Sequence, residues 1–202
     1  MRVLRDFCIV KVDKKYQDEV VTESGIKFFV DTTYRPEWHV TITGEVVGAA
    51  EKITDQFFET KGISPEIRVG DQIYFSYLIV DPVNEIEVGD DICYKADYPN
   101  IYAYKRDGVM HMIGGWVFVV PYIEKHGEGV GSLVLPEYMK TEVHKDMGTI
   151  YKIGKPLSHL PDLGLKEGDM VAFKNIAAFG NEIEGKMYYT MKQSEIMAKI
   201  NM

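Results

Sequence analysis

Short apolar runs, punctuated by glycine, aspartate and proline, dominate the chain. "RVLRDFCIVKV" (2–12), "HVTITGEVV" (39–47), "DQIYFSYLIV" (71–80) and "NIYAYK" (100–105) are rich in Val, Ile, Tyr and Phe, residues that fit a pleated, half-buried surface. Helical periodicity surfaces only weakly, in "QSEIMAKI" (193–200). Short strands at this spacing, without alternating helices, predict an all-β chain built as small barrels or sandwiches. One run is ambiguous: "GSLVLPE" (131–137) reads either as a core strand or as an apolar tag carried on a loop.

The pattern occurs twice. "IRVGDQIYF" (67–75) returns as "LKEGDMVAF" (165–173), "NEIE" at 84–87 returns at 181–184, and "AYKRDGVMHMI" (103–113) aligns with "TMKQSEIMAKI" (190–200). "FCIVKV" (7–12) answers "WVFVVP" (116–121), and "SGIKF" (24–28) answers "GSLVL" (131–135). The offset between matched residues falls steadily, from 109 at Phe7/Trp116 through 104 at Gly44/Gly148 and 98 at Gly70/Gly168 to 87 at Lys105/Lys192. Two copies with loops trimmed in the second would drift in this way, because loop closure depends only weakly on length. The expected modules are 1–112 and 113–202, with a boundary near Ile113-Gly114-Gly115. "VGDDICY" (88–94) also resembles "VGDQIYF" (69–75) and is read as an extra hairpin, part of a surplus in the first module.

Composition narrows the function. The 202 residues carry a net charge of −8, which argues against a nucleic-acid partner, since phosphate recognition needs a basic surface. No run approaches the roughly 20 apolar residues of a membrane span, and "FCIV" is too short for a signal peptide, so a cytoplasmic protein with no membrane partner is expected. Cys8 and Cys93 lie in apolar company and read as buried small hydrophobes. The histidines His39, His111, His126, His144 and His159 lack zinc-ligand spacing. Asp90-Asp91 reads as a solvated turn in preference to a metal or acid/base pair. No nucleotide-binding glycine motif is present. No metal, cofactor or catalytic residue is therefore expected.

In order of features, each half resembles a GroES-type co-chaperonin. An opening strand is followed by a long loop holding a short apolar tag, then by a Gly-led strand ("GEVVGAA", 44–50). A roof segment, "VGD" plus an aromatic-ending strand, and a closing "SEIMAKI" (194–200), similar to the family's terminal "SDILAIV", complete it. The resemblance implies two GroES-like small β-barrels in tandem, each with a flexible loop and a roof hairpin. It implies a non-enzymatic lid that self-associates into a ring, caps an ATP-driven chaperonin in a nucleotide-dependent way, and assists unfolded client proteins indirectly. The implied chaperonin-binding tags are Leu133-Val134-Leu135 in module 2 and, in module 1, Ile26-Lys27-Phe28 with Phe29 following. The second departs from the family's all-apolar tripeptide at Lys27. In an extended segment, however, Ile26 and Phe28 share one face while Lys27 points away.

The roof of module 1 carries Phe57-Phe58, either tucked onto the barrel or forming a second contact patch between subunits. The same barrel serves zinc alcohol dehydrogenases, but the nucleotide-binding half and the cysteine ligands are missing here. A two-module chain supplies only even numbers of modules to a ring whose usual count in the family is odd, as do the fused double co-chaperonins of chloroplasts. The rival reading is a non-chaperone tandem β-barrel, a structural or adaptor protein that keeps the fold and binds something else.

Overall fold

The structure is a computed structural model that describes residues 2–3, 6–22, 24–33, 39–50, 66–89, 91–125, 141–156, 162–174 and 179–200. The chain divides into two compact units, Met1–Ile113 and Gly114–Met202. Both are built from strands, and the regular helical segments among the described residues are single 3-10 turns.

The first unit holds β1 (Arg2–Val3), β2 (Phe7–Lys11), β3 (Glu19–Val21), β4 (Lys27–Phe29), β5 (Thr43–Ala50), β6 (Gln72–Phe75), β7 (Glu85–Val88), β8 (Asp91–Asp97), β9 (Ile101–Arg106) and β10 (Val109–Met112). Its main sheet is antiparallel in the order β10-β9-β6-β5-β2-β8-β7, with β1 added parallel to β5 and the β3–β4 pair standing apart. The second unit holds β11 (Trp116–Lys125), β12 (Thr141–Ile153), β13 (Met170–Phe173), β14 (Phe179–Ile183), β15 (Lys186–Lys192) and β16 (Ile196–Ile200), in the order β14-β15-β11-β12-β13-β16. Among the described residues no ladder joins the two ends of either order.

Pairing registers match between the units residue by residue. Val10 faces Val46, and Val119 faces Ile150; a bulge precedes each pair, at Ile9/Val10 and at Phe118/Val119. Gly44 faces Ile73, and Gly148 faces Val171. Phe75 faces Ile101 after a bulge, as Phe173 faces Ile196. The cores follow the same plan. Val117, Val119, Ile150, Val171, Phe173, Met191 and Ile196 cluster in the second unit. Their counterparts Cys8, Val10, Val46, Ile73, Phe75, Ala96 and Ile101 are each buried in the first.

Two glycines have no substitute in this scheme. A Cβ on Gly44 would lie 2.5 Å from the Lys11 carbonyl oxygen, and one on Gly148 would meet the Val120 carbonyl in the same way. Close backbone approach at the crossing strand selects glycine there. The turn into the next strand is also shared. Asp71 N–H donates to the Arg68 carbonyl and Asp169 N–H to the Lys166 carbonyl, both at 3.1 Å. Gly70 and Gly168 each sit at φ +90°, as the third position of a type II turn requires.

Four sequence expectations need correction. "SEIMAKI" is not helical: a 3-10 turn (Gln193–Glu195) leads into strand β16. Its counterpart is "PNIYAYK" (99–105), not the stretch 103–113, because β16 pairs with β13 as β9 pairs with β6. The offset from β8 to β9 therefore stays at 95, as Asp97/Lys192 and Ile101/Ile196 show, and the "NEIE" match slips by two residues. Nor is the β7–β8 hairpin around "VGDD" surplus, since β14–β15 repeats it. The strand of the first unit without a counterpart downstream of this hairpin is β10. Like residues recur at either parity of a strand, so identity matching alone cannot fix register.

Candidate partner-binding hairpin

Between β2 and β5 the chain of the first unit leaves the sheet and returns. Gln17 N–H donates to the His39 carbonyl at 2.7 Å and Thr41 N–H to the Lys15 carbonyl at 3.0 Å, while Tyr16 bridges Val40. Above this stem β3 and β4 form an antiparallel ladder: Glu19 faces Phe29, Val20 faces Phe28 and Val21 faces Lys27. Val30 N–H closes its base on the Asp18 carbonyl at 2.8 Å, and Lys14 pairs with Asp18 beside it.

The tip is ordered by Thr22. Its N–H donates to the Ile26 carbonyl at 2.9 Å, its carbonyl accepts from Gly25 N–H at 2.8 Å, and its hydroxyl oxygen accepts from Ile26 N–H at 3.1 Å. Gly25 sits at φ +81° with nothing near a Cβ, so only the left-handed backbone demands glycine there. Below the base, Thr33 N–H and hydroxyl both donate to Asp31 Oδ1; the hydroxyl is the larger influence, and the pair holds that carboxyl below its usual range.

The hairpin displays apolar surface to solvent. Ile26 is 57% exposed, Phe28 54%, Val21 56% and Phe29 80%. Strand alternation puts Phe28 on one face and Lys27 with Phe29 on the other. Lys27 Nζ lies 3.3 Å from Glu19 Oε2, so its charge is matched within the hairpin. The segment expected to be a loop contains a paired β-hairpin, with Ile26-Lys27-Phe28 at its tip and along β4. Sequence reading placed Phe29 only as a follower and missed Glu19 as the partner of Lys27. The Phe28-Phe29 doublet carried the first signal, whereas the second depends on the ladder and had none.

Leu133-Val134-Leu135 fall outside the described residues, as do Phe57-Phe58, Asp90, His126 and His159. The strands on either side of 126–140 are clear. Ile123 faces Val143 and Lys125 faces Thr141, with Ile123 and Val143 each about half exposed. His144 Nε2 lies 3.0 Å from Glu124 Oε2 and its ring rests on Tyr122. Elsewhere, Asp91 pairs with Lys11 at 2.8 Å and His111 stacks on Tyr104. Among the described residues no three His, Cys, Asp or Glu side chains form a group fit for a metal ion, and no helix is long and apolar enough to cross a membrane.

An all-β scaffold presenting apolar side chains on a paired hairpin is equipped to bind another protein surface. Comparison with known proteins finds similarity over part of the chain. Residues 109–200 match the family described as "Chaperonin 10 Kd subunit". The chain is also 32% identical over 81 residues to the co-chaperonin GroES of Aquifex aeolicus (strain VF5), a similarity covering 38% of this chain and 65% of that protein. The matched stretch is thus less than two thirds of the relative's length.

Proposed function

We propose that the chain is a tandem co-chaperonin: two GroES-like small β-barrel modules, 1–112 and 113–202, forming a non-enzymatic, cytoplasmic lid for an ATP-driven chaperonin. The observation that carries this reading is the family match over 109–200. The shared registers extend it to the first unit, where β2, β5, β6, β8 and β9 repeat the pairings of β11, β12, β13, β15 and β16. Chaperonin contact is assigned to Ile26, Lys27 and Phe28 in one module and to Leu133, Val134 and Leu135 in the other. Several chains associate into a ring, and unfolded clients are enclosed beneath it without direct recognition.

The physical case for the first tag is preorganisation. Fixing a backbone costs about 1–2 kcal/mol per residue, a cost the β3–β4 ladder has already met before any partner arrives. Burying Phe28 and Ile26 against an apolar groove then contributes part of the roughly 1.5–3 kcal/mol each side chain is worth, since about half of each is still exposed. Lys27 keeps Glu19 as its counter-ion on the opposite face.

The test is co-sedimentation with a purified chaperonin, with and without ATP, for the wild type, Phe28→Asp and Val134→Asp. Nucleotide-dependent binding that weakens in both variants supports two working tags. Loss in Val134→Asp alone assigns the role to the second module. A wild-type chain that never sediments with the chaperonin returns the protein to the adaptor reading.

A further inference from the structure

The two sheets end on equivalent strands that treat their free edges differently. β7 ends one order and β14 the other, and the outer side of each is unpaired among the described residues. Their hairpins share a register: Ile86 faces Cys93 as Asn181 faces Tyr188, and Val88 faces Asp91 as Ile183 faces Lys186. An unpaired edge is a template for another strand, and natural sheets deter one with charge. β7 carries exposed Glu85 and Glu87, whereas β14 has Gly180 and Glu182 in the same places.

Gly180 has no explanation within its own unit. Its φ is not left-handed, and a Cβ there would meet only the Met187 sulfur, in ordinary contact at 3.5 Å. A glycine inside a strand weakens it and often marks the close approach of another backbone; no described backbone of this chain makes that approach. The hairpin also fixes which residues bond outward. Glu184 (φ +52°) and Gly185 (φ +75°) form its two-residue turn, so the closing pair Ile183/Lys186 exchanges ladder bonds, and bonded and non-bonded pairs alternate from there. Ile183, Asn181 and Phe179 therefore direct their backbone groups to β15, while Gly180 and Glu182 direct theirs to the free edge.

We propose that β14 pairs with β14 of a second copy of this chain, antiparallel about a two-fold axis at Asn181. Gly180 then exchanges backbone bonds with Glu182 of the second copy, and Glu182 does so with Gly180. Phe179, 53% exposed, comes opposite Ile183 of the second copy, on the same face of the ladder. Charge selects this occupant. The same register on β7 would set Glu85 opposite Glu87 at both ends, and β7 on β14 would set Glu85 opposite Glu182. Like charges directly opposed destabilise a ladder. Of these pairings, β14 on β14 alone opposes none, because Gly180 stands where β7 has its first glutamate. The contact is isologous and closes at two copies. It rests on the fold of the second unit and not on chaperonin binding.

The experiment pairs single cysteines with charge changes, all in the full chain without chaperonin. Asn181→Cys sets a thiol opposite its own copy, within disulfide range, and should form chain-to-chain disulfides under mild oxidation. Gly180→Cys meets its own copy only on the diagonal, beyond that range, and should not. The native Cys8 and Cys93 are buried and give little background. The cross-link reads this contact whatever other assembly the chain makes. In sedimentation across a dilution series, Gly180→Glu should move association to about tenfold higher concentration. Gly180→Lys, whose ammonium meets Glu182 of the second copy, should move it lower, with circular dichroism confirming the strands in both. Equal cross-linking by the two cysteine variants, or equal association of the folded Glu and Lys variants, overturns the contact. If Asn181→Cys, which gives up a 2.9 Å bond to Thr190, fails to fold, the charge variants decide alone. A chain that cross-links through Asn181→Cys but ignores chaperonin overturns the lid and keeps this contact; one that binds chaperonin without that cross-link does the reverse.

Discussion

Asp71 and Asp169 occupy the same place in the same turn, yet they hold different cations. Asp71 is 3% exposed and grips the guanidinium of Arg106 with both oxygens, at 2.8 and 2.6 Å, while accepting Arg68 N–H at 2.7 Å. Asp169 meets the single ammonium of Lys199 and accepts Lys166 N–H at 2.9 Å. Bidentate arginine contacts are the stronger kind, and hydrogen bonds to charged groups are worth about 1.5–3 kcal/mol. Asp71→Asn should therefore destabilise by about that amount, and more than Asp169→Asn, as read by denaturant unfolding. The Asp169 carboxyl is held low first by the Lys199 ammonium and then by Lys166 N–H. A carboxyl depressed on folding contributes stability above its unfolded value of about 3.9, which is lost as pH falls through the folded value. Thermal melts of Asp169→Asn and wild type should thus differ above about pH 5 and converge in acid. Cys8 offers the opposite sign: burial pushes its thiol up to about 12, against a lowering by Tyr98. Burial also raises the Cys93 thiol. Neither should react quickly with a thiol reagent near pH 8 in the folded chain, and both should react on unfolding; rapid native labelling would contradict the buried strands.

At the scale of elements, what was legible in sequence had a local cause. Gly-Asp before a β-branched or aromatic run announced β6 and β13, because the turn needs a left-handed residue whose neighbour caps it. The runs "FCIV" and "WVFVV" announced β2 and β11 because their apolar residues have little alternative but the core. Register was not legible: "NEIE" and "SEIMAKI" each found an attractive but shifted match, and only the ladders fix which residues face one another. The β3–β4 hairpin was hidden too, since its stem depends on contacts such as Gln17 with His39, far apart along the chain. Gly44 and Gly148 make the register argument testable. Each crosses the first core strand of its unit too closely for a Cβ, so alanine at either position should cost about 1–3 kcal/mol through overpacking. Gly180, whose Cβ would have ordinary contact only with the Met187 sulfur at 3.5 Å, should tolerate alanine far better. Similar losses at all three, measured by chemical denaturation, would mean that general strand propensity and not the shared crossing sets the cost.

At the scale of the whole molecule, the proposed tags and their number in the proposed ring would set how strongly the protein holds a partner. A single apolar tag contributes only a few kcal/mol at most, which alone corresponds to weak binding. Joining tags on one assembly raises the effective concentration of each after the first, and avidity can exceed single-site affinity by about 10²–10⁴ without any new contact. Diluted to single chains, the protein keeps Ile26, Lys27, Phe28, Leu133, Val134 and Leu135, yet should bind chaperonin more weakly than the proposed ring by about 10²-fold or more, measured by titration on either side of the assembly concentration. Phe28→Asp in the assembled chain should lose less, because the tags of the second module remain joined. If the diluted, unassembled chain instead bound as tightly as the assembled one, affinity would have to reside in one strong site, and the weak-tag arithmetic would fail.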